Sequence, residues 1–386
     1  MLLQVGNADL LDPQATNNSN LYNSAYLTLE FFHTFMIIVT GGAGFIGSNF
    51  VIDWVSQSTE PLTVLDCLTY AGNLANLETV SRSGRFDGQV LFSRTDLRDF
   101  EAVNAVVAAK KPRAIVHFAA ESHVDRSIEG PGEFIQTNVI GTFHLLQAAR
   151  NLHADYLANA PSMASSFRFL HVSTDEVYGS LNDTDPSFTE LTAYAPNSPY
   201  SASKAASDHL VRAWHHTYGL PTLTTNCSNN YGPFQYPEKL IPLIISHAIE
   251  GKALPIYGDG RNVRDWLFVK DHCTAIRKVL EHGAVGEVYN IGGEAEMTNI
   301  EVVSTICRLL DKRKPRADGK SYEAQIEFVS DRPGHDKRYA MNIDKIKHHL
   351  GWQPSESFAS GIAKTVDWYL QHQGWVGDLQ IRRGLI

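Results

Sequence analysis

The segment Met36-Ile-Ile-Val-Thr-Gly-Gly-Ala-Gly-Phe-Ile-Gly47 decides the fold of this chain. It begins with a short apolar run rich in β-branched residues, which is typical of a buried strand in a parallel sheet. Glycines at 41, 44 and 47 follow, and apolar residues then recur at helical spacing over residues 45–56. The segment therefore predicts a strand, a tight glycine turn and a helix whose N-terminus can receive a phosphate group.

The same alternation of strand and helix continues along the chain. A second strand is predicted at Leu62–Asp66. The later strands are predicted in QVLFSRTD (89–96), RAIVHFAAE (113–121) and FRFLHVST (167–174), with helices near 99–109 and 134–151 between them. Alternating strands and helices predict an α/β fold with a doubly wound parallel sheet.

Acidic residues end two of the predicted strands. Asp66 follows Gly47 by 19 residues, and a carboxylate at that place binds a ribose hydroxyl and repels a 2′-phosphate. With the glycine spacing, this predicts a Rossmann-like domain that binds NAD rather than NADP; a plain strand-to-helix turn is the simpler alternative. Asp96 is predicted to contact the adenine side of the cofactor, or equally to cap the next helix.

Tyr200-Ser-Ala-Ser-Lys204 places a phenol and an ammonium group on one face of a helix. A tyrosine is a poor base at neutral pH, and we expect the nearby positive charges of Lys204 and an oxidised nicotinamide to lower its pKa. Such pairs also occur by chance on solvated helices. This one gains weight because it follows a dinucleotide loop.

Longer segments carry a family resemblance. They are STDEVYG (173–179), AAESHVDRS (119–127), NCSNNYGPFQYPEKLIP (226–242), RDWLFVKDH (264–272) and DRPGHDKRYA (331–340). With the glycine loop and the Tyr-Lys pair, they resemble the extended short-chain dehydrogenase/reductase family from about residue 36 to near the C-terminus. The Thr-Asp-Glu triplet is similar to that of the nucleotide-sugar dehydratases within this family.

The resemblance implies a lyase that uses NAD to remove water from the hexose of a nucleotide sugar. Oxidation at carbon 4 makes the carbon 5 proton acidic, and the hydride later returns to carbon 6. In this scheme Tyr200, beside Lys204, takes the proton of the carbon 4 hydroxyl, and Thr174 hydrogen-bonds the carbon 4 oxygen. Glu176 is the expected base at carbon 5, and Asp175 the acid that protonates the departing hydroxyl.

The resemblance also implies the binding residues. The expected cofactor contacts are Gly41, Gly44, Phe45, Ile46, Gly47, Asp66, Asp96, Leu97, Ala119, Tyr200 and Lys204. The expected substrate contacts are Thr174, Asn229, Lys239, Arg264, Asn299, Arg332 and His335. Each charged residue alone also fits an ordinary surface position. No metal site is expected, because His117 and His123 lack partners at ligand spacing, and we interpret both as structural.

Three regions are predicted along the chain. Residues 1–35 contain no Lys or Arg and are expected to form an N-terminal extension without a readable targeting signal, whose order the sequence leaves open. Residues 36–228 form the Rossmann-like domain. Residues 229–386 form mainly a smaller substrate-binding domain, since a Pro- and Gly-rich passage breaks the rhythm there. The strand EVYNIGG (287–293) is expected to return to the main sheet, so that the domains interleave.

Composition excludes several classes of protein. Of 386 residues, 43% are hydrophobic and 19% charged, which is too apolar for intrinsic disorder. A net charge of −9 gives no general attraction to nucleic acid or anionic membranes, and no apolar run approaches the ~18 residues of a membrane span. The four cysteines form no CxxC pair and suit reduced thiols in the cytoplasm. A homodimer is expected from the resemblance alone.

Two other functions remain open at this point. A sugar-nucleotide 4-epimerase would share the glycine loop, Tyr200 and Lys204, and a non-catalytic NAD-binding protein would share the fold. The discriminating feature is whether Asp175 and Glu176 face the nicotinamide. The base of the nucleotide, thymine or uracil, also rests on the resemblance alone.

Overall fold

The computed structural model describes residues 35–382 apart from 82, 83 and 85. The predicted extension, but for Phe35, lies outside the described residues. The strands are β1 (Ile37–Thr40), β2 (Leu62–Asp66), β3 (Val90–Arg94), β4 (Ala114–His117), β5 (Arg168–Thr174), β6 (Thr222–Cys227), β7 (Asn229–Tyr231), β8 (Leu254–Tyr257), β9 (Val263–Phe268), β10 (Val288–Ile291), β11 (Glu296–Thr298) and β12 (Ile326–Val329).

The helices lie between these strands and after them. They are α1 (Phe45–Gln57), α2 (Phe100–Lys110), α3 (Val124–Glu129), α4 (Pro131–Phe134), α5 (Gly141–Asn159), α6 (Pro161–Ser166), α7 (Pro199–Tyr218), α8 (Leu240–Glu250), α9 (Val269–His282), α10 (Asn299–Arg313), α11 (Asp344–Leu350), α12 (Phe358–Gln371) and α13 (Gln373–Arg382). Short 3₁₀ helices span Leu74–Val80, Asp175–Tyr178 and Tyr322–Gln325. Within the described chain, no helix is both long and apolar enough to cross a bilayer.

The main sheet has the strand order β10-β6-β5-β4-β1-β2-β3, and all its neighbours are parallel. The chain runs outward from β1 to β3 and then returns to the other side of β1 at β4. This reversal confirms the predicted doubly wound, Rossmann-like sheet. β10, in the segment expected to return, pairs with β6. Ligands bind such sheets beyond the carboxyl ends of strands next to the reversal.

Both faces of the sheet are buried, which explains the continuous apolar strands. Ile37 and Val39 of β1 belong to the core that includes residues of α1 and α9, whereas Ile38 between them belongs to the core with residues of α2, α5 and α7. Successive side chains of a strand point to opposite faces, so β1 contributes to both cores. Its fixed position holds the glycine loop that follows.

A second core lies in the C-terminal half of the chain. Residues of α8, α10 and α12 pack there with Tyr231, Trp266 and Phe268. Two small sheets accompany this core, with the orders β11-β9-β7 and β12-β8. β7 directly follows β6 after one residue, so this half is connected to the edge of the main sheet at the carboxyl end of β6.

Two helix boundaries differ from the sequence-based predictions. The N-cap of α2 is Asp99, whose side chain accepts the Ala102 N–H, so the alternative of Asp96 as the cap is wrong. The helix predicted near 134–151 is instead interrupted, because residues Ile135–Ile140 form a π-helical turn between α4 and α5. Asn138 within that turn donates to Ser203 Oγ on α7 over 2.9 Å.

Candidate active site

A cavity of about 330 Å³ opens at the carboxyl ends of β1, β2, β4, β5 and β6. All the predicted cofactor contacts line it, namely Gly41, Gly44, Phe45, Ile46, Gly47, Asp66, Asp96, Leu97, Ala119, Tyr200 and Lys204. Thr174, Asp175, Glu176, Asn229 and Lys239 line the same cavity. The fold thus brings the glycine loop, the Tyr-Lys pair and the Thr-Asp-Glu triplet into one cavity.

The glycine loop has no room for side chains. Gly41 has a φ of +68°, and a Cβ there would lie 2.7 Å from Ala119 Cα. A Cβ on Gly47 would lie 2.2 Å from the carbonyl oxygen of Gly41. The backbone can therefore approach a ligand closely at the N-terminus of α1, whose N-cap Gly44 makes no side-chain capping bond.

Asp66 links the glycine loop to the end of β2. Its Oδ2 accepts the Ala43 N–H at 3.0 Å, and its Oδ1 accepts the Leu68 N–H at 2.8 Å. Burial raises the pKa of Asp66. Each carboxylate oxygen has two lone pairs, so both can still accept a ribose hydroxyl. Asp96 is more exposed and forms an ion pair with Arg98 at 2.7 Å. Hydrogen bonds from Arg98 lower the pKa of Asp96.

The carboxyl end of β5 places Thr174 and two carboxyl groups in the cavity. The Thr174 hydroxyl accepts the Glu176 N–H at 3.3 Å and donates to Asp175 Oδ1 at 3.2 Å, which starts the 3₁₀ turn. Asp175 is 2% exposed, and its Oδ2 has no partner among the described residues. Burial raises the pKa of Asp175 well above its usual range, and the nearby charges of Glu176 and Asp265 raise it further. This carboxyl group is therefore favoured in its protonated form.

Glu176 meets a different set of charges. Burial raises its pKa, whereas the positive charges of Lys239, Arg264 and Arg332 lower it. The charge of Asp336 raises it, and burial is the largest influence, so the pKa of Glu176 is raised overall. The pKa of Asp175 is raised well above its usual range, with Arg264 as its opposing cation. The two neighbouring carboxyl groups are thus differentiated by their surroundings.

Tyr200 and Lys204 occupy the first two turns of α7, which begins with a capping box at Ser198. Lys204 Nζ donates to the Val172 carbonyl at 2.9 Å. The pKa of Tyr200 is raised well above its usual range by burial and then by the charge of Glu176, while a hydrogen bond with Thr174 lowers it. The prediction that Lys204 lowers the pKa of Tyr200 is wrong for the protein without its cofactor, because desolvation of the phenolate outweighs the other effects.

Lys239 and Asn229 reach the cavity from the C-terminal half of the chain. Lys239 Nζ donates to the Ser122 carbonyl at 2.8 Å. Asn229 Oδ1 is buried without a hydrogen-bond partner among the described residues. Both side chains hold polar atoms that a ligand in this cavity can contact.

Arg264 lies beside the cavity and is 5% exposed. It donates to the Asp336 carbonyl at 2.9 Å, and its guanidinium lies 4.2 Å from the centre of the Tyr339 ring. Its charge lowers the pKa of Asp175 as well as that of Glu176. Arg264 is therefore fixed by Asp336 and Tyr339, close enough to both carboxyl groups for its charge to act on their pKa values.

The remaining predicted substrate residues are not among those lining the cavity. Arg332 is paired with Asp125 at 2.9 Å, and His335 with Asp331 at 2.6 Å. Asn299 is the first residue of α10. Arg332 is close enough to Glu176 for its charge to lower the pKa of that carboxyl group. None of Asn299, Arg332 and His335 lines the cavity.

Comparisons with known proteins agree with this geometry. Residues 38–365 match the family model of GDP-mannose 4,6 dehydratase. The dTDP-glucose 4,6-dehydratase of Xanthomonas campestris pv. campestris (strain B100) is 61% identical over 340 residues, which are 88% of this chain and 94% of that protein. The chain belongs to the dTDP-glucose 4,6-dehydratase family.

Solved structures of this family superimpose on the fold. The dTDP-glucose 4,6-dehydratase of Bacillus anthracis, solved in complex with NAD, is 46% identical, with a TM-score of 0.77. DesIV, the dTDP-glucose 4,6-dehydratase of Streptomyces venezuelae, was also solved with NAD bound and is 46% identical, with a TM-score of 0.79. Each alignment covers 89% of this chain and 99% of the other.

Sequence reasoning missed several residues that line the cavity. Tyr70 donates to Glu238 Oε1 at 3.0 Å, and the Arg126 guanidinium lies 3.8 Å from the centre of the Tyr70 ring. Glu121, whose pKa burial raises, and Cys227 also line the cavity. Most of them occur in quoted segments of the family resemblance, but nothing in the spacing predicts that these segments meet.

The two histidines considered as metal ligands have structural partners. His117 is hydrogen-bonded through Nδ1 to Thr40 Oγ1 at 2.7 Å and through Nε2 to Thr142 Oγ1 at 2.9 Å. His123 is the N-cap of α3. Across residues 35–382, other than 82, 83 and 85, no group of three or more His, Cys, Asp or Glu side chains is arranged to hold a metal ion.

Proposed function

We propose that this protein is a lyase that converts dTDP-glucose into dTDP-4-keto-6-deoxy-glucose and water. The observation that carries the proposal is that Asp175 and Glu176 line the same cavity as Tyr200, Lys204 and the glycine loop. An epimerase needs the last three groups but has no use for an acid and a base beside them. The relatives that are 53–61% identical bear the name of the proposed activity.

The cofactor of the proposed reaction is NAD. The glycine loop fits a pyrophosphate. Backbone atoms occupy the space that a Cβ at Gly41 or Gly47 would need, so only glycine allows this tight turn and the close approach of a phosphate to the backbone. The Asp66 carboxylate fits the ribose hydroxyls and would repel a 2′-phosphate. Bound NAD⁺ supplies the oxidising power at carbon 4 and later returns the hydride to carbon 6.

Tyr200 takes the proton of the carbon 4 hydroxyl in the first step. Thr174 hydrogen-bonds the carbon 4 oxygen and, through its bond with Tyr200, holds the phenol against it. Lys204 is fixed by the Val172 carbonyl, so its positive charge stays at a constant place on the same helix face. Because the phenol is costly to ionise in this buried site, proton transfer depends on these positioned partners.

Glu176 and Asp175 carry out the elimination. Glu176, with its ionised form favoured by three cations, accepts the carbon 5 proton. Asp175, favoured as the neutral acid, donates its proton to the carbon 6 hydroxyl, which leaves as water. The carbon 5–hydrogen and carbon 6–oxygen bonds break, and a double bond forms between these carbons. A proton returned to carbon 5 and the hydride to carbon 6 complete the product.

The two substrate phosphates need local cations in a protein of net charge −9. We assign this role to Lys239 and Arg264, with Asn229 and Asn299 as uncharged donors; Arg332 and His335 are assigned to the nucleotide end. The guanidinium of Arg264 offers a planar fork for phosphate oxygens.

The test is incubation of the purified protein with dTDP-glucose and UDP-glucose separately in deuterated water. The proposal predicts a 4-keto-6-deoxy product with solvent deuterium at carbon 5 and no net accumulation of NADH. Product from dTDP-glucose alone would assign the base. A 4-epimer without deuterium at carbon 5 would instead identify an epimerase, and Glu176 would have no role as a base.

We also propose that the protein is a cytoplasmic homodimer. Its cysteines are free thiols, which fits a reducing compartment. On the neighbouring helices α5 and α7, Phe143, Leu157 and Tyr218 are exposed, and Leu157 has 62% of its surface accessible. Light scattering should show a dimer that Leu157→Asp dissociates. Leu191→Asp, at a residue 95% exposed elsewhere, is the matched control and should leave the mass unchanged.

A further inference from the structure

Asp208 is a buried acid that the proposed reaction does not use. It lies one turn after Lys204 on α7 and is 5% exposed. Four side chains meet its carboxylate: His171 Nε2 at 3.1 Å, the Ser173 hydroxyl at 2.9 Å, the Tyr194 hydroxyl at 2.9 Å and the Asn226 amide at 3.4 Å. They come from β5, β6 and the loop before α7, so the carboxylate is held from three sides.

Lys204 and Asp208 are four residues apart on α7, so these two buried side chains lie on the same face of the helix. Burial lowers the pKa of Lys204, and the charge of Asp208 is the largest influence that raises it. Cys227 is the next influence, but burial raises the pKa of its thiol far above neutrality, so it carries no charge at pH 7. Asp208 therefore supplies the negative charge in the Lys204–Asp208 pair.

Four other titratable side chains packed around this pair are neutral at pH 7. Burial lowers the pKa of His171 to about 4 and that of His117 well below its usual range. Burial raises the pKa of both Tyr178 and Tyr194, and the negative charge of Asp208 raises both pKa values further. These side chains surround the pair without adding a charge that could replace the carboxylate.

We propose that Asp208 is a positioning residue that keeps Lys204 protonated inside the desolvated cavity. A buried ammonium without a counter-charge loses its proton readily, and a neutral Lys204 cannot stabilise a phenolate at Tyr200. Asp208 acts at one helical turn from the ammonium and needs no contact with substrate or cofactor. The inference builds on the proposed function, because it assigns Lys204 its role beside Tyr200.

The experiment compares Asp208→Asn, Asp208→Glu and Tyr194→Phe with the wild-type protein. For each, kcat with dTDP-glucose and the affinity for NAD⁺ are measured as a function of pH. Loss of the charge in Asp208→Asn should move the alkaline limit of both quantities down by about one pH unit or more. Asp208→Glu should restore the wild-type limit. Tyr194→Phe removes one hydrogen bond but keeps the charge, and its alkaline limit should not move.

A purely structural role would give a different pattern. Asp208→Asn would then lower the melting temperature and leave both alkaline limits unchanged, which would overturn the proposal. If Asp208→Asn does not fold, Asp208→Glu and Asp208→Gln provide the same comparison of a charged with a neutral side chain. The NAD⁺ titration needs no sugar turnover, so a failure of the proposed reaction is distinguishable from a failure of this inference.

Discussion

Replacement of Gly47 by alanine should weaken NAD binding without unfolding the protein. The added Cβ would lie 2.2 Å from the Gly41 carbonyl oxygen and 2.9 Å from both the Gly41 carbonyl carbon and the Gly42 Cα. Real Cβ atoms do not approach other heavy atoms below 3.0 Å, so backbone atoms must move by roughly 1 Å. The Gly41 carbonyl accepts the Gly44 N–H, so the turn itself must open.

The size of the effect follows from this overlap. Inserting a methyl group into a tightly packed site costs about 1–3 kcal/mol. If the wild-type turn is restored only when the cofactor binds, that cost is taken from the binding energy and weakens affinity by about 5- to 150-fold. Isothermal titration of nucleotide-free protein with NAD⁺ measures this ratio, and thermal unfolding shows how much of the cost appears in stability.

Gly374→Ala is the matched control. Apart from its chain neighbours and the backbone of its own helix, no heavy atom of the described residues lies within 4 Å of a Cβ built at Gly374, which is exposed on α13. The variant should bind NAD⁺ like the wild type and be slightly more stable, because alanine favours a helix over glycine by about 1 kcal/mol. Wild-type affinity of Gly47→Ala for NAD⁺ would refute the assignment of this loop to the pyrophosphate.

Four further predictions address the carboxyl groups and the phenol. Asp66→Ala should weaken NAD⁺ binding tenfold or more, since hydrogen bonds to a charged group contribute about 1.5–3 kcal/mol; unchanged affinity in the titration would contradict its role. Tyr200→Phe should lower kcat by about 10²- to 10⁴-fold with little change in KM, as steady-state kinetics will show. Glu176→Gln should still form bound NADH, visible by absorbance, but should release little product and incorporate little solvent deuterium at carbon 5. Asp175→Asn should abolish turnover yet raise the melting temperature. Because the pKa of Asp175 is raised by folding, its contribution to stability is lost as pH rises above about 4, so the advantage of Asn should grow from acid to neutral pH.

The sequence predicted those parts of the site that depend on local pattern. The strand, glycine turn and helix at residues 36–57 follow from the change of hydrophobic period, and Asp66 follows from its place at the end of the next strand. Carboxyl ends of parallel strands meet at one edge of the sheet, so Thr174 and its two acidic neighbours were expected there as well. The positions of the glycine turn, Asp66 and the Thr-Asp-Glu triplet are each determined by a short segment of the sequence.

Contacts between distant segments were not predictable in the same way. Tyr70 and Glu238 are 168 residues apart, and their hydrogen bond depends on how the C-terminal half folds back on the sheet. The π-helical turn at 135–140 also has no local signal, since Asn138 there is bonded to Ser203 of another helix. The predicted lowering of the pKa of Tyr200 was wrong for a related reason. A sequence shows a neighbouring charge, but it does not show how deeply the phenol is buried.

Desolvation acts on all three proposed acid–base groups in the same direction, and the charges around them separate their roles. Asp175 is surrounded by Glu176 and Asp265, with Arg264 as the opposing cation, whereas Glu176 faces cations from three different segments. The pKa values of both carboxyl groups are raised, but three cations oppose the rise at Glu176 and one opposes it at Asp175. Asp175 is therefore the better acid and Glu176 the better base, although the two are consecutive in the chain. An elimination that must remove a proton from one carbon and protonate the oxygen on the next requires this pair of states. The cations that support Glu176 come from the C-terminal half, so the separation of roles arises only when both halves of the chain are folded together.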